Sequence, residues 1–314
     1  MKSQPILIFA YNRVDTLERI ISSLPLDRDR QVIVSIDGPQ LDGTTRNSFL
    51  VRALCEQFRS RFPGQVRIID RKINLGLQDH CIMAMKEFFS QFESGIVLDD
   101  DIVPTMSFYE YMDYNLDKFD GNCEIKIVNG WTPLFSNETE NKSHTTKYFV
   151  SWGWGTWASF FNQVEFGLIN YGVSGKWWNQ GTLCHTAKSL GFRKYWTKRF
   201  DKITSSSANR SWDWELLFEL WRLNGTALSP AERLTSNLGY DDLAYHPNSG
   251  SKRQKALARN LELNNLFREE IVSSSHIEKL YERKMWDLSY QRLTSMIQFR
   301  IGAGFQAVKQ FGAK

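Results

Sequence analysis

The chain has 314 residues, 42% of them apolar and 24% charged, with a formal net charge of +4. That is enough apolar content for one large or two smaller packed domains, and too little positive charge, with no clustered basic stripe, for a nucleic-acid binder. Cys55, Cys81, Cys123 and Cys184 are scattered with no C-x-x-C pair, which excludes a zinc ribbon or a disulfide framework and fits a reducing cytoplasmic setting.

In chain order, Pro5–Ala10 is an apolar run of strand length, too short for a secretory signal and followed at once by Asn12-Arg13. Helical spacing follows at Leu17, Ile20, Ile21 and Leu24. Gln31–Ile36 predicts a second strand, residues 41–61 a helix, and Val66–Ile69 a third strand. Asp79 to Phe92 has helical spacing at Ile82, Met85 and Phe89; Ile96–Leu98 is a fourth strand, Thr105–Phe119 a helix and Glu124–Val128 a further strand. Strands separated by helix-length segments predict βαβ units in a mainly parallel sheet with right-handed crossovers. No G-x-G-x-x-G follows the first strand and no G-x-x-x-x-G-K-[ST] occurs, so an ordinary dinucleotide fold and a P-loop are excluded, and bound phosphates would call for a metal. After Trp131 the texture changes. Ser136–Lys147 reads as polar loop, Tyr148–Phe161 as an aromatic, glycine-punctuated stretch and Ser211–Asn224 as helix. Residues 236–252 are turn-rich, and two helical patterns run from about Gln254 to the end. Aromatics make up 14% of the chain, and large core residues are the default reading for most of them.

Three consecutive aspartates, Asp99, Asp100 and Asp101, end the strand Gly95–Leu98. Adjacent carboxylates repel unless a cation or hydrogen bonds stabilise them, and their hard oxygens suit Mg²⁺ or Mn²⁺. Taken alone the triplet reads equally as an acidic helix start before Pro104. It belongs to a series, however. Asn12-Arg13 follows the first strand, Asp37-Gly38 the second, and Asn74-Leu75-Gly76 the third. Polar groups at successive carboxyl ends line one rim of an open sheet, where ligands bind. Trp152-Gly153-Trp154-Gly155-Thr156-Trp157 offers close backbone approach between aromatic walls, or a strand packed on the core. In Ser211-Trp212-Asp213-Trp214-Glu215, Asp213 set among apolar residues suits a general base, while Ser211 and Glu215 suit helix capping. His246, beside Asp241 and Asp242, reads as a metal ligand or as a structural histidine in a turn.

The ordered set Pro5–Arg13, Val34–Gly38, Asn74–Leu77, Val97–Asp101, Trp152–Trp157 and Trp212–Trp214 resembles GT-A fold, nucleotide-sugar-dependent glycosyltransferases. The likeness is greatest to bacterial ones similar to N-acetylglucosaminyltransferase I and family 2-like enzymes, whose acidic motif usually opens with Glu where this chain has Asp99. The resemblance implies an α/β GT-A fold, Rossmann-like, with a mainly parallel mixed sheet flanked by helices and a C-terminal helical extension. It divides the chain into a nucleotide-sugar-binding half (1–130), an acceptor-binding and catalytic-base half (131–252) and a helical tail (253–314). It implies Asp213 as the base of an inverting reaction, and Asp101 with His246 as ligands of Mn²⁺ or Mg²⁺. Donor contacts are implied at Asn12, Arg13, Asp37, Asn74, Gly76, Asp99, Asp100, Trp154 and Gly155. The partners implied are a UDP-sugar donor and a glycan or lipid-linked glycan acceptor, with no nucleic acid. From residue 292 the tail carries Arg292, Arg300, Lys309 and Lys314 with no acid, which leaves open peripheral contact with the inner face of the plasma membrane beside simple packing on the domain. Two competing readings remain: a nucleotidyltransferase acting on sugar phosphates, and a non-catalytic carbohydrate-binding protein.

Overall fold

The computed structural model describes residues 2–26, 29–40, 45–168, 177, 183, 186, 190–205, 210–239 and 270–286. The chain begins β1 (Ile6–Ala10), α1 (Val14–Ser23), β2 (Val32–Ile36), α2 (Thr45–Arg61), β3 (Val66–Asp70), α3 (Gly76–Phe89) and β4 (Ser94–Leu98). These strands lie parallel in the order β3-β2-β1-β4, the layout that the alternation of strand and helix predicts. All of β1 and β2 is buried, because helices cover both faces. That is why these strands read as continuous apolar runs rather than as alternating ones. Leu7 and Phe9 pack to one side with α3; Ile6, Ile8 and Ala10 pack to the other with Leu17 of α1 and Val51 of α2.

The second half contributes β5 (Ile102–Pro104), α4 (Met106–Lys118), β6 (Ile125–Asn129), β7 (Ser143–Thr146), β8 (Trp154–Trp157) and the single turn α5 (Ala158–Phe161). It continues with α6 (Leu190–Thr204), α7 (Trp212–Arg222), β9 (Thr226–Ser229), β10 (Thr235–Asn237), β11 (Ile271–Val272) and α8 (Ser275–Trp286). Thr105 caps α4 by accepting the Phe108 N–H at 3.2 Å, a contact worth about 1 kcal/mol. Among the described residues the main sheet runs β11-β7-β9-β6-β8-β4-β1-β2-β3, with β5 and β10 forming a separate antiparallel ribbon. β8 is antiparallel to both β4 and β6, and β9 is parallel to β6. The carboxyl ends of β1, β2, β3, β4, β6 and β9 therefore share one rim, and β8 enters the sheet from that rim. The expected mainly parallel mixed α/β sheet flanked by helices is what the chain forms.

Several expectations are corrected. Ser136–Lys147, expected as a polar loop, contains the buried strand β7; His144 Nε2 and Thr132 Oγ1 lie 3.2 Å apart, and Thr146 Oγ1 accepts the Tyr148 N–H at 3.3 Å. The helix expected from Asp79 starts at Gly76, for a reason that belongs to the site below. Most aromatics among the described residues are core, which agrees with the default reading from the sequence. Trp196 and Trp221 meet at 4.8 Å, and Tyr148 and Trp286 at 4.3 Å between ring centroids. The part of the C-terminal segment that is described, α8, belongs to that core: Tyr281 is fully buried, and Glu282 accepts from the Tyr148 hydroxyl at 3.1 Å and from Lys147 Nζ at 3.0 Å. No helix among the described residues is long and apolar enough to cross a membrane. Residues beyond 286, including the basic tail, lie outside the described residues.

Candidate functional site

The rim is built from strand ends. β4 stops at Leu98 and delivers Asp99, Asp100 and Asp101, each partly buried. From the end of β1, the Tyr11 N–H donates to Asp100 Oδ2 at 3.1 Å. Arg13 Nη1 donates to Asp101 Oδ2 at 2.9 Å, with its Nε 3.8 Å from Asp100 Oδ1. One guanidinium therefore offsets part of the charge of three carboxylates. Burial, reinforced by Asp101 and Asp100 and by the nearby Asp213, holds the Asp99 carboxyl well above the ordinary carboxylate range, against the pull of Arg13. Burial and Asp101 push Asp100 up to about 7, opposed by Arg13 and the Tyr11 N–H. Site and strain are thus one feature: the fold gathers more negative charge here than its own cation neutralises.

Asp213 opens α7 on the other side of the same rim. Trp212 beside it meets Phe9 of β1 edge-on at 6.0 Å and stacks on Trp154 at 6.2 Å. These rings seat the start of α7 against β1 and β8 and bring Asp213 into the field of Asp99. Burial raises the Asp213 carboxyl; the Ser211 hydroxyl, which donates to Asp213 Oδ1, and the N–H groups of Trp214 and Asp213 itself pull it down. Ser211 holds the N-cap position without capping the helix, since its hydroxyl serves Asp213 instead. Glu215 is not a solvated first-turn acid. It is buried, accepting from Gln78 Nε2 at 3.1 Å and from the Gly167 N–H at 2.6 Å.

The other expected positions divide. Asp37 is 3% exposed, and its carboxylate accepts the N–H groups of Gly38, Leu75 and Gly76 at 2.8, 2.9 and 3.0 Å. It caps α3, which explains the early start of that helix. Asn74 Nδ2 donates to the Gly38 carbonyl at 2.7 Å, and Gly76 takes φ +76°, a conformation suited to glycine. These residues shape the rim next to Asn12, which is partly buried on it. Trp154 and Gly155 sit beneath the rim, inside the sheet. Trp154 is 1% exposed, and a Cβ on Gly155 would meet Leu116 Cδ1 at 2.8 Å. Of that motif, Trp152 and Gly153 are the residues at the rim, with Thr235 Oγ1 donating to the Trp152 carbonyl at 2.6 Å. His246, Asp241 and Asp242 lie outside the described residues.

Sequence reasoning missed Gly239. β10 runs along β5 toward the acids; the Leu238 N–H donates to the Asp101 carbonyl at 2.9 Å, and a Cβ on Gly239 would fall 2.1 Å from Asp101 Oδ2. The signal was present as a repeated tripeptide. Asn74-Leu75-Gly76 lies against Asp37, and Asn237-Leu238-Gly239 lies against Asp101.

The donor chemistry of this rim fits a divalent cation. Asp101 keeps 20% of its side chain exposed and already holds a cationic group at 2.9 Å. Among the described residues no three His, Cys, Asp or Glu side chains converge on one point, so the protein would offer one or two carboxylates. Phosphate oxygens and water would complete the shell, a mode usual for Mg²⁺ and shared by Mn²⁺.

No protein-family description matches the chain, and no curated protein sequence does. Among the solved structures that resemble parts of it are two of interest. One is a candidate nucleotide-diphospho-sugar transferase from Desulfovibrio desulfuricans G20, 14% identical over 53% of this chain and 71% of that one, at TM-score 0.28. The other is 4-diphosphocytidyl-2C-methyl-D-erythritol synthase from Anaerococcus prevotii DSM 20548, 10% identical over 73% and 88%, at TM-score 0.34. At such scores neither likeness carries weight on function, and the reading below is built from the rim.

Proposed function

We propose that the protein is an inverting, divalent-cation-dependent glycosyltransferase that moves a sugar from a nucleoside-diphosphate sugar, taken to be a UDP-sugar, to a hydroxyl of a glycan or lipid-linked glycan. The observation that carries this reading is the meeting of two kinds of carboxylate on one rim: the strand-end cluster Asp99–Asp101, and Asp213 from the start of a distant helix, raised by burial. A transferase needs both, one set to hold the donor diphosphate and a separate base for the acceptor.

Asp101, with Asp100 beside it, would hold the cation, which when bound offsets the charge building on the leaving diphosphate. Arg13, which holds Asp101 at 2.9 Å, would move to a phosphate oxygen of the donor, since its guanidinium suits either oxyanion. Asp99, which lies within the electrostatic reach of Asp213, would position the donor sugar. Asp213 would accept the proton of the acceptor hydroxyl as that oxygen bonds to the anomeric carbon and the carbon–oxygen bond to the diphosphate breaks. A carboxylate raised above its ordinary value by burial suits this work. Trp152, on the rim, would help to exclude water that would otherwise take the sugar.

The test is a screen of nucleotide sugars by thermal shift with and without Mn²⁺, followed by product analysis with any donor that stabilises the fold. Release of nucleoside diphosphate with glycosylated acceptor is the expected result. Release of pyrophosphate would mean attack at phosphorus and a nucleotidyltransferase instead, and no metal-dependent nucleotide binding would leave a sugar-binding protein.

A further inference from the structure

Arg233 lies between β9 and β10 and is only 8% exposed. Its guanidinium carbon sits 5.3 Å from the centroid of the Trp131 ring and 5.4 Å from that of Phe135. Nε donates to the Thr132 carbonyl at 3.1 Å, while Nη2 is buried with no hydrogen-bond partner. Among the described residues no carboxylate pairs with it. Glu138 is the nearby acid, and its carboxylate is committed to Lys284 and to the Phe135 N–H. Trp131, which follows β6 directly, is fully buried, and its indole N–H also lacks a partner. Two donors, one of them charged, are therefore withdrawn from water on the same ring system with nothing to accept from them. That arrangement is costly unless something else supplies the acceptor.

The surroundings indicate what that is. Trp152 packs against Trp131 with centroids 4.5 Å apart, and Phe135 is 51% exposed above Arg233. Flat apolar faces border the donors, as the C–H face of a pyranose requires. Arg233 and Lys284 against Glu138 leave the cluster with one net positive charge, which suits a monoanion. The Glu138 carboxylate would repel a second negative charge. A planar guanidinium edge also matches a planar carboxylate, and the second unpartnered donor, the Trp131 N–H, belongs to the ring that the guanidinium overlies. The place is right for an acceptor. It lies on the rim at the ends of β6 and β9, and β10 leads from it past Asn237 to Gly239 against Asp101.

We propose that Trp131, Phe135, Trp152 and Arg233 form a subsite for a carboxylate-bearing sugar, its carboxylate on Arg233 Nη2 and the Trp131 indole N–H and its ring on the exposed Phe135 and the partly exposed Trp152. Resting on the transferase reading, this makes the acceptor an acidic glycan, one containing a uronic acid or a similar sugar.

The test follows the indole N–H signals of the ¹⁵N-labelled full chain by NMR, with W131F identifying the Trp131 peak. Free D-glucuronate should move that peak saturably, D-glucose should not, and inorganic phosphate should act more weakly than glucuronate. R233Q should bind glucuronate roughly tenfold or more weakly while its remaining spectrum is unchanged, as expected for a lost charge-assisted hydrogen bond. If R233Q does not fold, R233K, which keeps the charge without the planar fork, should also bind more weakly. The subsite is overturned by a Trp131 peak that ignores glucuronate, by an equal response to glucose, by tighter binding of phosphate, or by a folded Arg233 variant that binds like the wild type. Because donor, metal and turnover are absent from this measurement, its failure leaves the transferase reading standing. Intact glucuronate binding with no response to UDP and Mn²⁺ would count against that reading alone.

Discussion

Replacing Gly239 with alanine puts the role of Asp101 under direct strain. The added Cβ would lie 2.1 Å from Asp101 Oδ2 and 2.9 Å from its Cγ, where ordinary contact begins at 3.4 Å. The carboxylate would therefore have to move by about 1.3 Å, because a packed site cannot absorb the overlap otherwise. Asn237 Oδ1, at 3.0 Å from the same Cβ, restricts the other way out. Metal–ligand distances hold to within about 0.2 Å, so a displaced Oδ2 would lose its place in the proposed shell. Mn²⁺ affinity in the presence of UDP should fall roughly 10- to 100-fold, the usual effect of disturbing what orients a ligand. The cation-free melting temperature should change little, since the obstruction is the far end of a short side chain at the rim. Titration of Mn²⁺ by electron paramagnetic resonance, with and without UDP, measures the first quantity, and a thermal melt the second. Wild-type Mn²⁺ affinity in a folded G239A protein would refute the assignment of Asp101.

The D213N variant should lose about 10²- to 10⁴-fold in kcat, the range for removing a general base, while UDP and Mn²⁺ still raise its melting temperature; undiminished transfer would show that the base lies elsewhere. Asp99, Asp100 and Asp213 bind protons more tightly in the folded chain than in the unfolded one. Their contribution is therefore complete below the ordinary value of 3.8 and is lost as pH rises through the raised values, about 7 for Asp100. Cation-free melting temperature should accordingly decline across that window, with D100N flattening the slope and Mn²⁺ restoring most at its upper end; a level cation-free profile contradicts the charge crowding described. Asp37→Ala strips the acceptor from three N–H groups and should cost about 1–3 kcal/mol by chemical denaturation. In Gly38→Ala the new Cβ would meet the Ile73 backbone at 2.1 Å. Unlike G239A it should therefore lower the melting temperature with or without metal, and equal behaviour of the two alanine variants would contradict this contrast between backbone and side-chain obstruction.

What could be read in the sequence was what local pattern determines. β1 to β4 declared themselves because both faces are buried, so the strands are apolar from end to end, and the acids fell where those runs stop. β7, β9, β10 and β11 did not, being 2–4 residues long and stabilised by their sheet neighbours rather than by their own composition. The same distinction governs the site. Asp99–Asp101 and Asp213 carry visible chemistry, whereas Gly239 matters only through what lies 2.1 Å from its missing side chain. Asp37 shows the reverse: its type and position suit a nucleotide contact, yet its carboxylate is engaged in holding the start of α3. Trp154 and Trp152 are two residues apart, and only the sheet register distinguishes the one sealed beneath the rim from the one on it.

β8, running against both of its neighbours, has a consequence for how the protein becomes competent. While only β3-β2-β1-β4 has formed, the chain owns its strand-end acids but lacks the helix that carries Asp213 and the turn that positions Asp101. Those follow β8 in the chain, and the pairing of β8 with β4 and β6 joins distant segments, a kind of contact that topology makes slow to form. On the proposed reading, a nascent or partly unfolded molecule would be unable to expend an activated sugar on water, and reactivity would certify that assembly is complete.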